Sequence, residues 1–280
     1  MSTIYPDGHK ANYNLIIVHK KAKVIMRHLS SPPTCMRNSY PLISILCTAW
    51  FLLLNLSSQA QQQVTVERPV LLMGSVFQIT LVAADSLQAN ALIDKTIEEI
   101  TRIENLISEW QPHTQVSKVN QNAGLKAVTV DAELFELTKR AIAYSEMTDG
   151  AFDISTAALD RIWIFDDSMD TLPSPEAIKN SVAYVNYKDI ILDSTQSTIF
   201  LKNKGMKIGF GSIGKGYAAD KGRALMLQHN VEAGIVDASG DLATWGVQTN
   251  HSPWRIGIRN PFKKNKIIKV LKLKDSAVAT

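Results

Sequence analysis

Apolar residues recur on one helical face between residues 85 and 109: Leu92, Ile93, Ile97, Ile100, Ile103 and Ile107. That spacing predicts a long amphipathic helix from Asp85 to Glu109. Ahead of it, Val70 to Val82 reads as one or two strands, and behind it Gln111 to Gln121 reads as a polar loop. Asp131 stands where it would cap a second helix, which runs to about Met147 and ends at Gly150. A third helix is expected from Asp153 to Ile164. The pattern then shifts to short apolar runs, which predict strands at Tyr184–Tyr187, Ile190–Leu192, Thr198–Lys202, Ile208–Phe210, Gly234–Ala238, Leu242–Val247, Trp254–Ile258 and Ile267–Leu273. One further helix, Lys215 to Gln228, interrupts them. Helices gather early and strands late, which is an α+β organisation.

The front of the chain follows another pattern. Leu42 to Leu56 is the one strongly apolar run, with Arg37 before it and Ser58-Gln-Ala60 after it. A basic residue, a short apolar stretch and a small-residue site form the order of a secretory signal. Residues 1–60 are therefore read as an N-terminal extension plus signal peptide, cleaved after Ala60, and residues 61–280 as one domain. An uncleaved membrane anchor is the alternative. This division also changes the charge. The net +4 of the whole chain comes from the first 60 residues, which hold six Lys or Arg against Asp7. The remainder is close to neutral, so a nucleic-acid-binding role loses its support. Lys269, Lys272 and Lys274 alternate with Val270, Leu271 and Leu273 and read as a solvated strand face. Both cysteines, Cys35 and Cys47, precede the cleavage point. The mature domain then has no disulfide, thiol nucleophile or zinc–thiolate site.

Chemistry is densest in Gly209-Phe-Gly-Ser-Ile-Gly-Lys-Gly-Tyr-Ala-Ala-Asp220. Glycines allow close backbone approach, and a helix N-terminus carrying Lys215 attracts anions, phosphates above all. The stretch nearly matches a Walker A motif, but Gly216 stands where Ser or Thr should hold magnesium. It also contains a lone G-x-G-x-x-G at Gly209, Gly211 and Gly214. Tight packing with no ligand would explain the glycines as well. The same balance holds elsewhere. Asp153 serves equally as a helix cap, Met73 and Trp110 as core residues, and Ser239-Gly-Asp241 as a hairpin turn.

Taken in order, the signals become specific. Met73-Gly-Ser75, Ser108-Glu-Trp110, Ser117-Lys-Val-Asn120, Gly150-Ala-Phe-Asp153 with Trp163, Gly211 to Asp220, Ser239-Gly-Asp241, Trp254 and Ala277-Val-Ala-Thr280 follow one another along about Val70 to Thr280. This series resembles the FAD:protein FMN transferases, the ApbE-like flavin transferases. The resemblance implies a single α+β flavin transferase domain with early helices and a mostly antiparallel sheet, incomplete at the C-terminus. It implies FAD as substrate, Mg²⁺ as cation, FMN transfer to a threonine hydroxyl and release of AMP. The expected acceptor is a flavoprotein subunit of a membrane redox complex, met outside the cytoplasmic membrane, with possible membrane association and no nucleic acid.

Residue by residue, the resemblance places Met73, Trp110, Ala151, Phe152, Asp153 and Lys215 at FAD and gives the metal an oxygen from Ser212. It assigns no catalytic side chain. Many members carry an aspartate where this chain has Gly209. The family's later His-x-Ile-Asp-Pro-type segment and its Mg²⁺-binding Asp…Thr pair would fall beyond Thr280. The chain as it stands is therefore expected to bind FAD weakly and not to transfer FMN. FAD pyrophosphatase activity and non-catalytic flavin binding are the competing expectations.

Overall fold

The computed structural model describes residues 63–159, 162, 171–263 and 266–279. The proposed signal segment, Cys35, Cys47, Trp163, Phe165 and Thr280 lie outside them. Among the described residues no helix is long and apolar enough to cross a membrane.

The fold is α+β. Strands β1 (Val64–Leu72) and β2 (Ser75–Ala83) form a hairpin around Met73 and Gly74. Both turn residues have positive φ, 49° and 69°, the geometry that matches the right-handed twist of paired strands. Helix α1 (Ser86–Ile107) follows. Its cap Asp85 accepts from the Gln88 amide at 2.8 Å, while the Gln88 side chain accepts from the Ala84 amide at 3.0 Å. The expected stripe is its buried face: Ile93, Ile100 and Ile103 are wholly inaccessible and Ile107 nearly so. Each such burial is worth about 1.5–3 kcal/mol relative to exposure.

Next come α2 (Gln115–Gln121), β3 (Val128–Thr129), α3 (Ala132–Met147), α4 (Pro175–Ser181), β4 (Ile190–Asp193) and β5 (Thr198–Leu201). The chain continues through α5 (Gly214–Gln228), β6 (Ala233–Ala238), β7 (Asp241–Trp245), β8 (Trp254–Arg259), β9 (Ile267–Leu273) and β10 (Ala277–Val278). The main sheet has five strands in the order β1-β2-β6-β7-β10; β3-β5-β4 and β8-β9 form two smaller sheets. All of these pairings are antiparallel. Helix α1 lies on β1 and β2, α5 lies on β6 and β7, and the two helices pack on each other. Phe77, Ile79, Leu81, Val236 and Trp245 fill the core between sheet and helices.

Several expected elements differ. Gln111–Gln121 is a loop only as far as Thr114, whose hydroxyl caps α2 by accepting from the Ser117 amide at 3.1 Å. Of the expected third helix, Asp153 to Ile164, the described residues form a 3₁₀ turn, Ile154–Ala158, and residues 160, 161, 163 and 164 lie outside them. Tyr184–Tyr187 is a turn leading into a second 3₁₀ turn, because Asp153 and Ser155 take the amides of Tyr187 and Asn186 that a strand would have paired. Ile208–Phe210 is irregular: the Asn120 side chain satisfies both the amide and the carbonyl of Ile208, at 2.8 and 2.9 Å. Asp131 occupies the N-cap position of α3 without a side-chain cap bond; its carboxylate instead accepts from Gln115.

Candidate functional site

The ends of three elements meet around a cavity of about 350 Å³. One wall is the β1–β2 turn, Met73 and Gly74. The second is the C-terminal end of α1 and its following loop, from Glu104 and Ile107 to Gln111. The third is the start of α5, with Phe210, Gly211, Gly214 and Lys215. The volume falls in the range of small-molecule sites.

Each wall has a local cause. Met73 is a bulky residue in the left-handed region, where side chains other than glycine are uncommon. The Glu104 carboxylate holds it there, accepting from the Met73 amide at 3.1 Å. The loop carrying Glu109 and Trp110 is tied from below by two buried hydroxyls. Thr114 donates to the Ser108 carbonyl at 2.7 Å, and Ser117 donates to the Gln111 carbonyl at 2.8 Å. Helix α5 starts at Ile213 without a capping side chain. The amides of Ile213 and Gly214 donate to the Phe210 carbonyl at 3.1 and 2.6 Å, so the first turn offers the cavity the amides that follow them and the positive end of the helix dipole, beside Lys215.

The four glycines of the loop divide into two pairs. A methyl group at Gly214 would stand 2.7 Å from Ile107 Cδ1, and one at Gly209 would stand 2.8 Å from Glu109 Oε1. Those two let the walls approach. Gly211 and Gly216 face open space, with no atom within 4 Å of an added Cβ. Close packing thus accounts for Gly209 and Gly214, and it does not account for Gly211 and Gly216.

Met73, Trp110 and Lys215, far apart in sequence, come together here. Trp110 is 74% exposed, which removes its reading as a core residue. Ala151, Phe152, Asp153 and Ser212 do not line the cavity. Phe152 packs edge-on against Tyr144 at 6.1 Å between ring centres. Asp153 is buried with its carboxylate engaged: it accepts from the Ser155 amide and hydroxyl at 2.7 Å and from the Tyr187 amide at 2.8 Å. Here the capping role open to Asp153 is realised.

Glu104 escaped the sequence reading, and Glu109, Gln111 and Phe210 stood inside its motifs and loop without being given a role at the site. The signal for Glu104 was its spacing: it lies three residues before Ile107, at the end of the helix that delivers Trp110. The donor set fits a flavin dinucleotide, with amides and Lys215 for phosphate and aromatic or apolar groups for a ring. It does not by itself fit Mg²⁺. Ser212 offers one oxygen, whereas the ion takes about six, and among the described residues no group of three His, Cys, Asp or Glu could hold a metal.

Behind the cavity, one carboxylate gathers donors from two helices. Glu133 of α3 accepts from Arg102 of α1 at 2.7 Å and from Tyr217 and Lys221 of α5 at 2.6 and 2.8 Å. Burial pushes its pKa up, but the bonds from Arg102, Lys221 and Tyr217 outweigh that and bring it down to about 2. Burial and then Glu133 raise Tyr217; the bond to Glu133 raises Lys221. Arg102, also paired to Glu99, is held above its ordinary value.

Comparison with known proteins bears on the family and the fold. A sequence-family model described as the ApbE family matches residues 73–280. A protein of Klebsiella pneumoniae (strain 342) named FAD:protein FMN transferase is 31% identical over 191 residues, which cover 68% of this chain and 57% of that protein. One of the same name from Treponema pallidum (strain Nichols) is 25% identical over 207 residues, covering 69% and 57%. The chain thus spans less than three fifths of the length of these curated relatives. The crystal structure of the ApbE protein from Thermotoga maritima superposes with a TM-score of 0.68 at 29% identity, covering 76% of this chain and 69% of that one. The flavin transferase ApbE from Vibrio cholerae shares the fold, with a TM-score of 0.67 at 20% identity over 77% of this chain and 70% of that one.

Proposed function

The chain belongs to the ApbE family, and on that premise we propose that it is an exported, Mg²⁺-dependent flavin transferase. It moves FMN from FAD to a threonine hydroxyl of a target flavoprotein, a subunit of a membrane redox complex, and releases AMP. The observation that carries this reading is the cavity in which Met73, Trp110 and Lys215 converge on the uncapped start of α5. The names of the relatives support the substrate, and the Arg37 to Ala60 pattern supports export.

In this account the pyrophosphate of FAD lies against the Gly211–Lys215 turn, where amides and a lysine offset its charge. Trp110 stacks on an aromatic ring of the dinucleotide. The threonine oxygen forms a bond to the FMN phosphorus, and the bridge to the AMP half breaks. AMP leaves with the electron pair of that bond, and the threonine proton is released. Positioning and charge stabilisation carry such transfers, so no covalent protein nucleophile is required. Ser212 is the one residue assigned to Mg²⁺, and its single oxygen does not make a site for the ion, so no step here is routed through the metal.

The test is incubation with FAD, Mg²⁺ and an acceptor domain, read by covalent flavin fluorescence in a denaturing gel and by AMP release. Residues 61–280 alone are expected to bind FAD weakly without transfer; from a version extended over the rest of the relatives' length, a fluorescent acceptor with matching AMP is the expected result. AMP with free FMN would make the protein a pyrophosphatase. FAD bound but unchanged would make it a flavin-binding protein.

A further inference from the structure

We infer that Glu133 is a positioning residue for the dinucleotide site: its carboxylate, shared by Arg102 of α1 and by Tyr217 and Lys221 of α5, fixes the spacing of the two helices whose ends wall the cavity. This role rests on the flavin-nucleotide reading and adds to it a residue outside the cavity.

The packing explains why such a brace is needed. The buried face of α5 consists of Gly214, Ala218, Ala219, Gly222 and Met226. Four of those five are glycine or alanine. Small residues let α5 lie close to its neighbours: a methyl group added at Gly222 would stand 3.1 Å from Thr96 of α1 and 3.3 Å from Val236 of β6. A surface of glycine and alanine offers few knobs to stop a helix sliding along its axis or turning about it. Met226, in the fourth turn and far from the loop that carries Lys215, is the one large residue fully buried on this helix; Leu225 beside it and Tyr217 at the near end are only partly buried against the core.

Glu133 supplies the missing restraint at the near end. Tyr217 and Lys221 are one turn apart on α5 and share its Oε1, and the Lys221 ammonium also lies 5.3 Å from the centre of the Tyr217 ring. The other oxygen, Oε2, accepts from Arg102. Arg102 is itself oriented by two 2.8 Å bonds to Glu99, so it meets Glu133 in a set direction. Exposed ion pairs contribute little, but this carboxylate is only 23% exposed and carries three charged or polar donors. Arg102 lies two residues before Glu104, and Tyr217 two after Lys215. The brace therefore acts within one helical turn of both walls.

A ligand that touches one wall tolerates a change in their spacing; a ligand that spans both does not. FAD reaches from the Trp110 wall to the Lys215 wall, whereas riboflavin, lacking phosphate, uses only the former. The experiment compares the full chain with Glu133→Gln and Glu133→Ala. Dissociation constants for FAD and riboflavin are measured by flavin fluorescence, and amide hydrogen exchange is followed over residues 210–220. The expected result for Glu133→Ala is an FAD dissociation constant raised about tenfold, riboflavin changed less than twofold, and faster exchange at Gly211–Lys215. Glu133→Gln, which keeps an acceptor, should fall between the two. Unchanged FAD affinity and exchange in a folded Glu133→Ala protein would overturn the role. Equal weakening of both ligands with a lower melting temperature would also overturn it, by making Glu133 a general stability residue. A parent chain with no affinity for FAD would overturn the functional reading itself, and this role with it.

Discussion

Trp110 and Lys215 carry the heaviest assignments in this molecule, and each is testable alone. Lys215→Ala should weaken FAD more than riboflavin, because only FAD brings a pyrophosphate to the start of α5. Calorimetric titration with both ligands decides it, and equal losses would move Lys215 to a structural role. Trp110→Ala should cost FAD about 1–3 kcal/mol, the usual worth of an aromatic stack on a base. Its 74% exposure predicts a melting temperature within about 1 °C of the parent. A large thermal loss with unchanged affinity would contradict both statements. Glu133 gives a pH signature. Its pKa is lowered on folding, from 4.5 to about 2, so the stability it lends is complete above pH 4.5 and disappears as pH falls towards 2. Lys221 and Tyr217 are raised, so their share is lost as pH climbs past about 10. Melting curves of the parent and of Glu133→Gln should accordingly converge at both extremes and differ most near neutrality.

At the scale of elements, α2 matters beyond its length. Its Ser117 ties down the Trp110 loop, and its Asn120 clamps Ile208, the approach to the glycine loop. Asn120→Ala leaves a buried amide and carbonyl without their partners, a loss of about 1–3 kcal/mol. It should lower the melting temperature and weaken FAD together; Asn120→Ala with unchanged stability would show that the clamp is dispensable. This short helix also marks the limit of what periodicity reveals. The six-residue apolar face of α1 was legible because its burial repeats over 22 residues. Helix α2 has 7 residues and only Val116, Ser117 and Val119 buried, too few to rise above a polar loop. Tyr184–Tyr187 and Ile208–Phe210 have strand-like composition, yet side chains from distant segments capture their backbone groups. Asp153 and Asn120 do this over 34 and 88 residues, beyond the reach of any local pattern. In the site, the order of motifs exposed Met73, Trp110 and Lys215. Glu104 stayed hidden because glutamates on a helix usually face solvent, and the partner that holds it, the Met73 amide of the β1–β2 turn, is 31 residues away.

For the whole molecule, the five-stranded sheet and the α1–α5 pair form the frame, and the cavity lies where their ends meet. The β8–β9 ribbon is attached to this frame through Trp254, which is buried with Val82 and Ala233 and donates to the Trp245 carbonyl at 2.9 Å. Beyond that anchor the ribbon exposes Phe262, Ile267, Ile268 and Val270. The alternation read as a solvated strand face is thus only half polar. Replacing Ile267 and Ile268 by Thr should raise solubility without lowering the melting temperature, as judged by light scattering and calorimetry; a fall of several degrees would show that these residues are packed in solution. The central claim is that a flavin dinucleotide spans the cavity between the end of α1 and the start of α5. Its most direct test is a crystal structure of this chain with FAD. The account predicts the pyrophosphate at Gly211–Lys215 and an aromatic ring of the dinucleotide stacked on Trp110. FAD bound elsewhere, or a cavity that stays empty at saturating FAD, would contradict it.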